Sequence, residues 1–133
     1  MNDTVFDPVR KKRVVLTPEE GVRQWLIKEL SSNYGYPLSL MSCEFPIEAN
    51  RIQYRGDLIV FSRDGNPVLL AECKAPHIKI DLKVFDQVVK YSLLLKVNYI
   101  IVTNGKDIYM GKYSNLTGRY QFLTTIPQYN ELS

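Results

Sequence analysis

Arg55-Gly56-Asp57-Leu58-Ile59-Val60-Phe61 and Val68-Leu69-Leu70-Ala71-Glu72-Cys73-Lys74 are two apolar runs separated by Arg63-Asp64-Gly65-Asn66-Pro67. Asp-Gly beside Asn and Pro is turn chemistry, so the two runs predict a β-hairpin. Side chains alternate faces along a strand. Leu70, Glu72 and Lys74 therefore share one face of the second strand, and Leu69, Ala71, Cys73 and Ala75 the other. Two ionisable groups project from a strand otherwise built to be buried. The first strand runs antiparallel, so Asp57, near its start, falls beside the end that carries Glu72 and Lys74. Two carboxylates and an ammonium at one edge of a sheet make a candidate divalent-metal site. Asp57 and Glu72 would hold Mg²⁺ or Mn²⁺, the Cys73 carbonyl would add an oxygen, and Lys74 would orient or activate a water. A Glu-x-Lys alone at a strand end is ordinarily a solvated ion pair. The apolar run before Glu72 and the acid across the hairpin weigh against that reading.

Composition bounds the answer. The chain has 133 residues, enough for one domain with a real core. It is 45% hydrophobic and 23% charged, which is globular composition and excludes a disordered chain. A net charge of +3 permits nucleic-acid binding without requiring it. Cys43 and Cys73 have no zinc-like spacing, and Cys73 reads as a small buried hydrophobe. The lone His77 reads as a loop residue. No apolar run approaches the length of a membrane span, and Met1-Asn2-Asp3-Thr4 does not begin a signal peptide. The expected setting is reduced and cytoplasmic, with no membrane.

Working outward toward the N-terminus, residues 1–16 form a basic arm around Arg10-Lys11-Lys12-Arg13, either solvated or touching phosphates. Residues 17–133 form the single domain. Thr17-Pro18-Glu19-Glu20 is a capping box that opens a helix. Val22, Trp25, Leu26 and Leu30 supply its apolar stripe. On that wheel Glu19 lies at the stripe's inward edge and Glu20 nearly opposite, where it suits the cap. Arg23 falls just outside the stripe, as a phosphate contact or an ion-pair partner of Glu19. Gly35 and Pro37 end the helix. Cys43–Glu48 reads as a first strand, with Pro46 marking an edge, and Arg51 and Arg55 add positive charge around Asp57.

Toward the C-terminus, Asp81 caps a second helix running to about Lys96, with Leu82, Phe85, Val89 and Leu93 as its stripe. Gln87 and Tyr91 lie one turn apart on another face. Val97–Thr103 is a continuous apolar strand, expected to lie parallel to the Glu72 strand after a right-handed crossover. A last hairpin joins Ile108–Met110 to Tyr120–Leu123. Its tyrosines serve either packing or base stacking. The fold class is α/β, a mixed central sheet flanked by helices in the order α-β-β-β-α-β with a C-terminal hairpin.

Asp57 and Glu72-Cys73-Lys74 resemble the PD-(D/E)xK nuclease signature, with Gly56 in place of the proline. The wider text resembles the N-terminal nuclease domain of type I restriction enzyme R subunits. The matching pieces are Thr17 to Gln24, Gly35-Tyr36-Pro37, Arg55-Gly56-Asp57, Glu72 to Pro76, Gln87-x-x-x-Tyr91 and Thr103-Asn104-Gly105. The resemblance implies a restriction-endonuclease-like core and Mg²⁺- or Mn²⁺-dependent hydrolysis of DNA phosphodiesters. It implies Asp57, Glu72 and Lys74 as catalytic residues, with one more metal carboxylate from the first helix, Glu19 by its facing. Gln87 and Tyr91 would support the site or contact DNA, and Arg23 and Arg55 are further candidates for DNA contact. The partners implied are DNA and either a second copy or restriction-modification subunits. The competing expectation is a DNA-binding or protein-interaction module on the same fold, inactive without a partner.

Overall fold

The computed structural model describes residues 3–49 and 51–132. The first two residues of the basic arm lie outside them. The elements are β1 (Thr4–Asp7), β2 (Lys12–Val15), α1 (Pro18–Asn33), β3 (Met41–Ala49), β4 (Ile52–Phe61), β5 (Pro67–Cys73), α2 (Leu82–Leu95), β6 (Tyr99–Thr103), β7 (Ile108–Ser114) and β8 (Arg119–Leu123). Strands β3 to β8 form one sheet in sequential order. All neighbours pair antiparallel except β5 and β6, which are parallel. A parallel neighbour needs a crossover long enough to return the chain to the same edge, and α2 supplies it. Strand β6 is buried along its whole length, as its unbroken apolar run requires. Pro46 does lie on an edge strand, β3.

The helices cover opposite faces. Val22, Leu26, Ile27 and Leu30 of α1 pack on Leu58, Val60, Leu69, Ala71, Cys73 and Ile101. Phe85 and Val88 of α2 pack on Ile59, Leu70, Ile100 and Val102. Leu26 and Leu30 are fully buried, each contributing about 1.5–3 kcal/mol by leaving water. The tyrosines of the last hairpin pack: Tyr113 meets Tyr120 edge to face, and the Tyr120 hydroxyl donates to the Val97 carbonyl at 2.6 Å.

Four expectations change. The basic arm is a structured hairpin: β1 and β2 pair with each other as a separate two-stranded sheet. The inward face of α1 is rotated from the expected stripe. Trp25 is 39% exposed, while Glu20, Arg23 and Ile27 are buried. The capping box forms only by half: the Glu20 N–H donates to Thr17 Oγ1, but the Glu20 carboxylate turns to Arg10 and Gln24. The stripe of α2 is rotated too. Leu82 and Leu93 face solvent, while Phe85, Val88 and Ser92 are buried and Tyr91 is half-buried. The cause is the same in both helices. An amphipathic pattern leaves two adjacent orientations open, and the neighbouring elements select one.

Candidate active site: two carboxylates where the sheet splays

The β4–β5 ladder ends at Leu58–Ala71. Strand β5 continues beside β6 to the Cys73–Thr103 pair, and β4 stays with β3 back to Ile52. Asp57, Glu72 and Cys73 therefore occupy the point where β4 leaves β5. Here the Cys73 N–H takes its acceptor from a side chain, donating to Asp57 Oδ2 at 2.7 Å.

A second irregularity sits at the same place. The β3–β4 register runs from Met41–Val60 to Ala49–Ile52, but Glu44 and Asp57 face each other without forming a pair. Glu44 adopts a left-handed φ of 55°. The side-chain alternation changes phase across this crease. Met41, Cys43, Leu58 and Val60 point to the α1 side, whereas Phe45, Ile47 and Tyr54 point to the α2 side. Asp57, which strict alternation would place with Ile59 on the α2 side, instead reaches Arg23 of α1, with 3.6 Å from Oδ1 to Nη2. Gly56 lies against the opposite face. A Cβ there would stand 2.7 Å from Leu70 Cδ1 and 3.1 Å from Ile59 Cδ1. A side chain at position 56 would need Leu70 to move, so the glycine has a packing reason in this chain.

On the α1 side, Arg23 is 94% buried in effect, with a residue exposure of 6%. Its guanidinium stands 3.6 Å from Glu20, 3.7 Å from Glu44 and 3.6 Å from Asp57. Arg10, from the turn of the β1–β2 hairpin, completes the network by pairing with Asp7 and reaching Glu20 Oε1 at 2.6 Å. Burial pushes the Asp7 carboxyl up, but hydrogen bonds from Arg10 and from the Val9 and Arg10 amides outweigh it and hold it low. Arg23 is thus an internal ion-pair partner of Glu20 and Asp57 rather than of Glu19, and little of it is exposed to meet a phosphate. Glu19 is exposed, the reverse of the burial expected from the helical wheel. Its charge nonetheless contributes, as the smallest of the causes, to the raised Asp57 carboxyl and Cys73 thiol.

On the α2 side, the Tyr54 hydroxyl donates to Glu72 Oε2, and Lys74 Nζ lies 3.3 Å from Glu72 Oε1. The Tyr54 ring stacks on Tyr91 with centroids 3.7 Å apart and planes within 3°. Burial, then the Glu72 charge, keeps Tyr54 firmly in its phenol form, able to donate. Gln87 and Arg55 are exposed. Tyr54 and Glu44 were not singled out from the sequence, and Arg10, expected to be solvated or to touch phosphates, is instead paired internally with Asp7 and Glu20. Tyr54 carried a weak signal, an aromatic on the strand before Asp57, but the phase change hid its face.

Asp57 is the electrostatic centre. Burial first, then the Glu72 charge, pushes its carboxyl up to about 7, against the Cys73 N–H and Arg23. Two acids this close are stabilised by a cation between them. Among the described residues, no three His, Cys, Asp or Glu side chains gather as a metal-binding cluster. Two carboxylates, a backbone carbonyl and waters still suit a hard, oxygen-seeking ion such as Mg²⁺, which keeps several of its waters. The donor types fit such an ion, and Asp57, Glu72 and the Cys73 carbonyl are the groups that would hold it.

Comparison with known proteins gives the lineage. The family model described as type I restriction enzyme R protein N terminus (HSDR_N) matches residues 18–127. The chain belongs to this family. No curated protein matches it. Among solved structures, it is similar to a chain described as a fragment of an HsdR subunit of a type I restriction enzyme from Vibrio vulnificus YJ016. The TM-score is 0.65 at 20% identity, over 88% of this chain and 24% of that one. At that identity the likeness shows the shared fold, and this chain spans about a quarter of the length of its match. Membership places the chain with the restriction-modification R subunits. Among the described residues no helix is long and apolar enough to cross a membrane.

Proposed function

We propose that this chain is a Mg²⁺- or Mn²⁺-dependent DNA endonuclease unit of the PD-(D/E)xK type, built on a restriction-endonuclease-like core. One observation carries the reading: the splayed end of β4 and β5 brings Asp57 and Glu72 together and sets Lys74 beside Glu72. Asp57, Glu72 and the Cys73 carbonyl hold the ion, and Glu19, exposed on the first turn of α1, is a fourth candidate. The bound ion would polarise the phosphate and lower the pKa of a water. Asp57 is oriented for this by the Cys73 N–H and Arg23, and Glu72 by Tyr54. Lys74, about a third exposed, orients the attacking water or stabilises charge on the phosphate. Gln87 and Arg55 are exposed and available to DNA. One such site cuts one strand, so a double-strand break needs a second copy or a second event. The family context points to restriction-modification subunits as partners.

A second reading is a DNA-binding or interaction module that needs a partner to cut. It is favoured by the state of Asp57, whose two oxygens already face Cys73 N–H and Arg23. Metal-dependent nicking of supercoiled plasmid separates the two. The wild type should nick with Mg²⁺ or Mn²⁺ and not in chelator. Asp57→Ala and Lys74→Ala should each lose about 100- to 1,000-fold. Equal activity in wild type and both variants would identify a contaminant and remove the nuclease reading. Mn²⁺ binding without cleavage by the wild type would favour the module.

A further inference from the structure

Glu72 is the only one of the two paired carboxylates whose support comes from the α2 side, and that support runs through an aromatic pair. The Tyr54 hydroxyl donates to Glu72 Oε2 while Lys74 stands at Oε1, so both oxygens are assigned. Tyr54 could swing on its χ1 and χ2 torsions, but its ring lies flat against Tyr91, 3.7 Å away and within 3° of parallel. Tyr91 projects from α2, whose Phe85 and Val88 are anchored in the core. Tyr91 and Tyr54 are also packed against that cluster. We propose that Tyr54 is the positioning residue for Glu72, and that Tyr91 acts on the site through Tyr54, by ring stacking rather than through its own hydroxyl. The inference rests on Glu72 being a metal ligand in the nuclease reading, and it deepens that reading.

This assignment gives the Tyr91 position a physical task. The second tyrosine holds a donor to a metal-ligating carboxylate, a kind of partner whose loss commonly weakens metal binding about 10- to 100-fold. It also predicts which part of each ring matters. Tyr54 needs its hydroxyl, so Tyr54→Phe keeps the stack and loses the function. Tyr91 needs its ring, so Tyr91→Phe keeps the function and Tyr91→Leu loses it.

The experiment uses the full chain and two readouts. The first is Mn²⁺ affinity by electron paramagnetic resonance titration. Tyr54→Phe should bind about 10-fold more weakly or worse. Tyr91→Phe should stay within about twofold of wild type, and Tyr91→Leu should fall toward Tyr54→Phe. The double variant Tyr54→Phe/Tyr91→Leu should be no weaker than Tyr54→Phe alone, because residues acting in series are not additive. The second readout is the ¹³C resonance of the Glu72 side-chain carboxyl in metal-free protein at fixed pH. It should move in Tyr54→Phe and Tyr91→Leu and stay in place in Tyr91→Phe. A wild type that binds no Mn²⁺ overturns the metal reading, and the carboxyl resonance then still decides the relay. An unmoved Glu72 resonance in Tyr54→Phe, or losses in the two single variants that multiply in the double, overturns the relay itself.

Discussion

Asp57 and Glu72 meet at one splayed sheet end, yet they are held in opposite ways. Asp57 is held by the Cys73 N–H and by charge. Arg23 sits among Glu20, Glu44 and Asp57, and Arg10 ties that group to the N-terminal hairpin. Glu72 is held by shape, through a flat aromatic stack and one hydroxyl. A buried charge network is costly to break, because removing one member strands the others without compensation. A stack is cheaper to lose and more exact in geometry. The difference suggests that Asp57's surroundings set how much charge the site tolerates, while Glu72's surroundings set where its oxygens point.

The largest test of this contrast is Arg23→Met. It leaves Glu20 and Asp57 buried without their guanidinium, and should lower the unfolding free energy by about 3–5 kcal/mol in urea titration. A cost under about 1 kcal/mol would show that the network is solvated and that charge does not hold Asp57.

The pH dependence sharpens the same side. Asp57's carboxyl is raised from 3.8 to about 7, so the folded protein binds this proton more tightly than the unfolded chain. Its contribution is present in full below about pH 4 and is lost as pH rises to and through about 7. Asp7 runs the other way: held below its usual value, its contribution is lost as pH falls through its lowered pKa. Thermal denaturation of metal-free wild type should therefore show a decline from pH 5 to 8 that Asp57→Asn removes. An identical slope in both proteins would place the titration elsewhere.

The smallest effect belongs to the aromatic side. Tyr91→Leu should cost only about 0.5–1.5 kcal/mol of stability beyond its lost area, measured in the same urea titrations. A loss as large as that of Arg23→Met would mean the stack carries the fold rather than the site, and the contrast between the two carboxylates would disappear.

Much of the fold was legible locally. Thr17 and Asp81 cap the two helices as their chemistry predicts, each accepting from the expected backbone N–H. The Asp64-Gly65 turn joins β4 to β5, with Gly65 at a φ of +90°. The apolar run at Tyr99–Thr103 does lie parallel to β5. The orientation of each helix was less legible. Trp25 looked like core and is half exposed, which rotated the wheel and exchanged the expected burial of Glu19 and Glu20. Nothing in α1 itself says that a hairpin from residues 4–15 will bring Arg10 over Glu20. Nothing in β4 alone says that the pleat reverses at Asp57.

The sequence by itself determined the capped helices, the hairpin and the succession of strands along the chain. All of these follow from local chemistry: backbone caps, turn residues and hydrophobic period. Tertiary structure alone decided that Glu44 and Asp57 crease the sheet, that Arg23 turns inward, and that Tyr91 of α2 lies flat on Tyr54 of β4. Those contacts join residues far apart in the chain, and a local pattern leaves such partners open until packing chooses between them. The two carboxylates could be found by reading the hairpin, but what holds each of them could be found only in the folded molecule.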